Sequence, residues 1–267
     1  MLLYYLYSII NIGDNMDFKD ILTKKDELNN IYLGLRDKEL LSIDINTNPS
    51  IIITGETGSG KSILLDQIIL QLMNKYTSLE MNLISIDTSG VELNHYLNTR
   101  YSLYSAMNDI DKSIVLISKV LRIIEERKEL LKENNCLTIN EYNKYVSEKL
   151  PLILVAIDDD NSLLKNPDIE KMLTGIITNL TGLNILFILV TSDVHNKFFV
   201  TDSNLFASTL ISFDYAGDTE AINANLRGSE NLAIGEFIIK SKNYNGIYHN
   251  FEFDDDIINK IVEMKEC

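Results

Sequence analysis

Ile51-Ile52-Ile53-Thr54-Gly55-Glu56-Thr57-Gly58-Ser59-Gly60-Lys61-Ser62 runs straight into Ile63-Leu64-Leu65-Asp66-Gln67-Ile68-Ile69-Leu70, and no other stretch restricts the fold so closely. A β-branched run, a glycine-rich turn ending in Gly-Lys-Ser and apolar residues at helical spacing predict strand, loop and helix in that order. This is the order of a P-loop. Gly55, Gly58 and Gly60 let the backbone curl around an anion with its N–H groups inward, and the new helix turns its positive end to the same point. The stretch from Gly55 through Glu56, Thr57, Gly58, Ser59 and Gly60 to Lys61 and Ser62 is therefore expected to bind nucleotide phosphates. Lys61 would reach the β- and γ-phosphates, and the Ser62 hydroxyl would hold a magnesium ion.

A second stretch fits the first. Leu152-Ile153-Leu154-Val155-Ala156-Ile157 is a buried-strand run that delivers Asp158-Asp159-Asp160 at its end. Downstream of a P-loop, such acids predict a metal-holding Asp158 and a neighbour, Asp159, that polarises the attacking water. A shorter run, Asn82 to Asp87, predicts another strand whose terminal Asp87 either caps the following loop or contacts the nucleotide.

Between these lie the elements of an alternating fold. Ile31–Leu35 and Glu39–Ile45 flank Arg36-Asp37-Lys38 and predict an N-terminal β-hairpin. Helices are predicted from Ser62 to about Lys75, Asp109 to about Glu133, Thr138 to Tyr145 and Asn166 to about Leu180, with strands at 184–191, 209–213 and 233–239. A short helix at 218–226 and a closing helix at 254–265 complete the chain. Within the long helix, Glu125-Glu126-Arg127-Lys128-Glu129 reads as a solvated face. Strands alternating with helices imply a mostly parallel sheet covered on both sides.

Composition limits the alternatives. A net charge of −15 over 267 residues opposes any role resting on a broadly basic surface, such as gripping nucleic acid through phosphate neutralisation. Five arginines are present: Arg36, Arg100, Arg122, Arg127 and Arg227. Cys136 and Cys267 give neither a metal spacing nor a disulfide framework, and His95, His195 and His249 are isolated, as surface or turn residues are. Met1 to Ile12 is apolar but too short for a membrane span and lacks a basic start, so residues 1–30 are read as a tail and 31–267 as the folded domain.

Taken together, the elements resemble the motor domain of the FtsK/SpoIIIE family, in the HerA–FtsK group of ring ATPases, from about Tyr32 to Val262. The resemblance is carried by Thr57-Gly58-Ser59-Gly60-Lys61-Ser62, by Ile86-Asp87 with Val91-Glu92-Leu93 and Tyr96, and by Glu126-Arg127-Lys128 leading to Tyr142-Asn143. Gly228-Ser229-Glu230-Asn231-Leu232 with Gly235-Glu236-Phe237 continues it. It implies an α/β, RecA-like P-loop NTPase fold, with ATP and Mg2+ as cofactors and Asp158 as the aspartate that shares the metal with Ser62. It further implies a homo-oligomeric ring, hexameric in the family, or a mixed ring with an active homologue. Such rings move double-stranded DNA or, in secretion and conjugation relatives, other cargo.

Departures from the family pattern temper that expectation. Asp159 stands where the family has glutamate, which withdraws the carboxylate by about 1.5 Å, a displacement large enough to slow water activation. Val190-Thr191-Ser192-Asp193-Val194 replaces a segment that ends in glutamine and arginine, and Asp214 and Glu220 stand where arginines are expected. The expectation is a cytoplasmic ATPase without its own membrane anchor, hydrolysing ATP slowly at Asp158 and Asp159 and coupling this to DNA translocation. The alternatives are a degenerate nucleotide-binding subunit of such a motor and a coupling ATPase for protein secretion.

Overall fold

Ile51–Ile53, Leu152–Ile157 and Ile185–Val190 show no polar alternation, which is the pattern of strands covered on both faces. In the computed structural model these runs lie side by side at the centre of one ten-stranded sheet. The structure describes residues 16–24, 27–192, 207–215, 228–254, 256–258 and 261–262. The strands are β1 (Asn30–Arg36), β2 (Glu39–Asp44), β3 (Ser50–Thr54), β4 (Met81–Asp87), β5 (Ser102–Met107), β6 (Leu152–Asp159), β7 (Ile185–Thr191), β8 (Thr209–Ser212), β9 (Glu236–Ser241) and β10 (Asn245–His249). Their order is β2-β1-β10-β9-β8-β3-β7-β6-β4-β5. From β8 to β5 every pairing is parallel, and from β8 outward to β2 every pairing is antiparallel. The mostly parallel sheet expected from the sequence is thus present.

The helices are α1 (Phe18–Leu22), α2 (Lys61–Lys75), α3 (Ile110–Glu133), α4 (Ile139–Tyr142) and α5 (Pro167–Ile177). Helix α2 packs Leu64, Leu65, Ile68, Ile69 and Leu72 against one sheet face, where they meet Ile51, Ile53, Leu154, Ala156 and Ile188. Helices α3 and α5 cover the other face, against Ile153, Val155, Ile157 and Phe187. Each such side chain taken from water stabilises the fold by about 1.5–3 kcal/mol, so the two layers together fix which edge of the sheet is left open. Among the described residues, no helix is long and apolar enough to cross a membrane.

The predicted hairpin forms through a two-residue turn in which Asp37 and Lys38 both have positive φ. It is joined to the body at two places. Strand β1 pairs with β10, and the Gln71 side chain of α2 brackets Tyr32, accepting from its N–H and donating to its carbonyl, each at 2.8 Å. Residues ahead of the hairpin also belong to the body: Phe18 and Ile21 are buried, and Asp17 bridges to Glu252. The sequence placed residues up to 30 in a tail, yet the Met16–Lys24 segment shares the core.

Two strands carry no clear signal in the sequence. Strand β5 is a half-exposed edge with no apolar run, and β10 is short and mixed. The helix expected from Thr138 to Tyr145 spans only Ile139–Tyr142, although Thr138 does cap it by accepting from Glu141 N at 3.0 Å. The helix predicted at 218–226 lies outside the described residues. Of the closing helix, 256–258 and 261–262 are described and helical.

One surface assignment is corrected. Arg127 is 6% exposed and donates to the carbonyls of Leu183, Asn184 and Pro151, which joins α3 to the starts of β6 and β7. Burial holds its guanidinium at about 10, below the usual arginine value. The buried residues Val120, Ile124, Arg127 and Leu131 share one helical stripe, so periodicity already marked position 127 as inward. Its neighbours Glu125, Glu126 and Lys128 do lie on the expected solvated face, where Arg122 pairs with Glu126 and Lys128 with Glu125.

Candidate nucleotide site

The parallel strands end together. Ser212, Thr54, Thr191 and Asp159 align across β8, β3, β7 and β6, with Val190, Asp158, Asp87 and Met107 in the next row inward. Ligands of open parallel sheets collect beyond such carboxyl ends. The glycine-rich loop leaves β3 here, and α2 starts from its far end.

Three loop glycines hold conformations that other residues rarely adopt: φ is +149° at Gly55, +82° at Gly58 and +117° at Gly60. At Gly55 a Cβ would sit 2.6 Å from the Phe213 Cβ, and at Gly60 it would press on Asn250 and Phe213. Glu56, Thr57 and Gly58 form the exposed lip of the loop, whereas Ser59 and Lys61 are buried. The loop is braced from behind by the antiparallel part of the sheet. Glu56 N donates to Asp214 O at 2.8 Å, Gly235 N to Ser59 O at 3.0 Å, and Asn250 Nδ2 to Gly60 O at 3.1 Å. Gly235, noted in the sequence only for the family resemblance, and Asn250, which has no local signature, escaped the sequence reading as parts of this site.

Lys61 donates from Nζ to the Glu56 carbonyl at 2.7 Å, so its ammonium is held inside the loop. Burial pulls its pKa down, against the attraction of Asp158, Glu92 and Glu56. Asp158 responds in the opposite sense. Burial first, and then the negative charges of Asp87 and Glu92, push its carboxyl up to about 7, with Lys61 holding it back. Its Oδ2 is buried and has no hydrogen-bond partner among the described residues. Buried oxygens left in this way are costly unless a cation or donor joins them.

Asp159 is placed differently. Successive strand residues face opposite sides. Asp158 follows Leu154 and Ala156 on the α2 side, and Asp159 follows Ile153, Val155 and Ile157 on the α3 side. The Asp159 carboxylate accepts from the N–H groups of Ser162, Leu163 and Leu164 at 3.0, 2.9 and 3.3 Å. It thus closes the loop after β6. Burial raises its pKa, and those N–H groups oppose the rise. Strand alternation, visible in the sequence, separates it from the face that carries Lys61.

Asp87 caps the loop after β4, the first of the two roles expected for it. Its Oδ1 accepts from Ser89 N, Ser89 Oγ and Gly90 N, and its Oδ2 accepts from Leu93 N. That loop is tied to α2 as well, since Tyr96 donates to Asp66 at 2.7 Å and the His95 ring, packed on Tyr96, lies 3.3 Å from the same carboxylate. His95 is therefore a loop anchor, and His249 pairs with Glu236 on the surface. His195 and Cys267 lie outside the described residues.

The arrangement suits a triphosphate with a hard divalent cation. Lys61 and the N-terminal end of α2 would supply positive partners, and Ser62 and Asp158 could offer oxygen to a metal. Among the described residues no three His, Cys, Asp or Glu side chains can hold a metal by themselves. A cation here needs phosphate oxygens to complete its shell, as magnesium bound with nucleotide does.

The sheet order, the glycine loop and the lysine define a P-loop ATPase fold of RecA-like type. The model of the FtsK/SpoIIIE family matches residues 23–180, and the chain belongs to that family. The DNA translocase FtsK of Oceanobacillus iheyensis is 28% identical over 160 residues, 55% of this chain and 20% of the relative. The match thus spans about a fifth of that protein's length. Among solved structures, the pCW3 conjugation coupling protein TcpA with ATPγS superimposes with a TM-score of 0.74 at 23% identity, covering 90% of this chain and 71% of the other. The cytoplasmic domain of the Type VII secretion ATPase EccC of Thermomonospora curvata gives 0.73 at 17% identity, with 97% and 34% coverage.

Proposed function

We propose that this chain binds ATP with magnesium on the Gly55–Ser62 loop and hydrolyses it slowly, as the motor unit of a cytoplasmic DNA-moving ring. The observation that carries the reading is the placing of the Lys61 loop and of Asp158 at the carboxyl ends of β3 and β6. Lys61 is held inside the loop that follows β3, the buried Oδ2 of Asp158 on β6 has no hydrogen-bond partner among the described residues, and only β7 lies between the two strands. Two inter-strand spacings amount to about 10 Å, which a triphosphate and its cation can bridge. Lys61 would hold the β- and γ-phosphates, and Ser62 and Asp158 would hold the metal. The cation would withdraw charge from the γ-phosphate.

The cargo and the ring rest on kinship. The matched FtsK relative is a DNA translocase, and the similarly folded TcpA is a conjugation coupling protein. A net charge of −15 disfavours a broad DNA-gripping surface and lends weight to a protein cargo, as in the secretion ATPase EccC. A second reading, a nucleotide-binding subunit that supports an active homologue in a mixed ring, is favoured by Asp159, whose carboxylate is engaged by the 162–164 loop.

Phosphate release from ATP, measured with and without duplex DNA, separates these readings. Turnover stimulated by DNA supports the motor, and turnover indifferent to DNA points to another cargo. Magnesium-dependent ATP binding with no turnover identifies the supporting subunit.

A further inference from the structure

We infer that Asn250 is a positioning residue of the phosphate loop, holding the Gly60 carbonyl so that the first amide of α2 stays available to a phosphate. The inference rests on the nucleotide-binding reading above and adds to it a residue from the far end of the chain.

A glycine-rich loop binds an anion only while its N–H groups keep one orientation, and the peptide units beside a glycine turn over at little steric cost. Something outside the loop must hold them. Gly60 caps α2 at φ +117° and, having no side chain, makes no capping bond of its own.

The hold comes from the antiparallel part of the sheet. Gly235 N donates to Ser59 O at 3.0 Å, and Asn250 Nδ2 donates to Gly60 O at 3.1 Å. The two carbonyls belong to consecutive peptide units, Ser59–Gly60 and Gly60–Lys61. A trans peptide unit is planar, so its N–H points opposite to its C=O. Fixing both oxygens against the ends of β9 and β10 therefore turns the N–H groups of Gly60 and Lys61 away from those strands, and neither has a partner among the described residues. Both are left for a phosphate.

Asn250 is itself placed by its backbone. Its N–H donates to Gly235 O at 2.8 Å, and His249 before it pairs with Glu236 on β9 and with Leu35 on β1. The side chain adds little to that anchoring. Nδ2 gains the bond to Gly60, whereas Oδ1 is buried with no partner among the described residues, and a bond made nearly cancels against a bond left unmade. The amide has one usable orientation here, because a carbonyl oxygen only accepts and the NH2 group must face it. The bond thus serves the loop more than the fold.

The test uses Asn250→Leu and Asn250→Ala in the full chain, reading the melting temperature and the affinities for Mg-ATPγS and Mg-ADP. Leucine keeps the branched shape, removes the donor and puts carbon where the unpartnered oxygen lies. Asn250→Leu is expected to melt no lower than the wild type and yet to bind both nucleotides about tenfold more weakly, the weight of one hydrogen bond. The factor should be equal for the two nucleotides, since backbone N–H groups of such a loop cradle phosphates that both carry. Asn250→Ala should weaken both to the same extent.

Wild-type affinity in Asn250→Leu overturns the inference. So does a loss of affinity that comes with a lowered melting temperature in both variants, which makes Asn250 a part of the fold alone. A wild type that binds neither nucleotide overturns the phosphate-loop reading and this role with it, whereas a wild type that binds both leaves that reading standing whatever the variants show.

Discussion

The Tyr96 hydroxyl donates to the Asp66 carboxylate at 2.7 Å, and through that bond the loop after β4 is fastened to the helix that begins at Lys61. Both groups are buried, and burial together with the Asp66 charge raises the tyrosine pKa well above its usual value. Removing the hydroxyl by Tyr96→Phe leaves Asp66 with one buried hydrogen bond fewer. The expected cost is about 1–3 kcal/mol, read from urea unfolding. Asp66→Asn, which keeps an acceptor, should lose less.

Lys61→Ala removes the ammonium from the loop. Isothermal titration should then show no Mg-ATP binding at concentrations that saturate the wild type. Undiminished affinity would remove the site from the Gly55–Ser62 loop.

Asp158 sets a pH dependence. Its carboxyl titrates at about 7 in the fold, against an ordinary value of 3.8. The folded state therefore binds this proton more tightly than the unfolded chain, and the associated stability is lost as pH rises from the ordinary value through about 7. Asp158→Asn should accordingly raise the melting temperature of the nucleotide-free protein more at pH 8 than at pH 5. Equal shifts at both pH values would show that Asp158 is not held in a buried, negatively charged setting.

Arg127 distinguishes a structural arginine from a surface one. Arg127→Met leaves the carbonyls of Leu183, Asn184 and Pro151 without their shared donor, and should cost about 2–4 kcal/mol in denaturant unfolding. Lysine cannot reproduce the planar fork, so Arg127→Lys should recover only part of the loss. Arg122→Ala, on the exposed face, should change stability by less than about 0.5 kcal/mol.

The loop glycines should differ among themselves. Gly58→Ala meets open space and pays only for its positive φ, about 1 kcal/mol. Gly55→Ala adds a 2.6 Å approach to Phe213, so it should lower the melting temperature further and displace the braced end of the loop. Differential scanning fluorimetry of the two variants checks the ranking.

The sequence by itself determined the glycine loop, the central strands and the helices that follow them. Those features are local: the wide positive φ angles of the loop favour glycine, and burial on both faces requires unbroken apolar runs. The inward place of Arg127 and the turn of Asp159 to the α3 side were also legible, through helical and strand periodicity, although the charge of each residue points to solvent or catalysis. Only the tertiary structure decided that Gly235 and Asn250 brace the loop, that β10 joins the hairpin to the sheet, and that Tyr96 fastens the loop after β4 to α2. Each of these depends on chain segments brought together across the sheet edge, where sheet order and register set the neighbours and spacing along the chain carries no information.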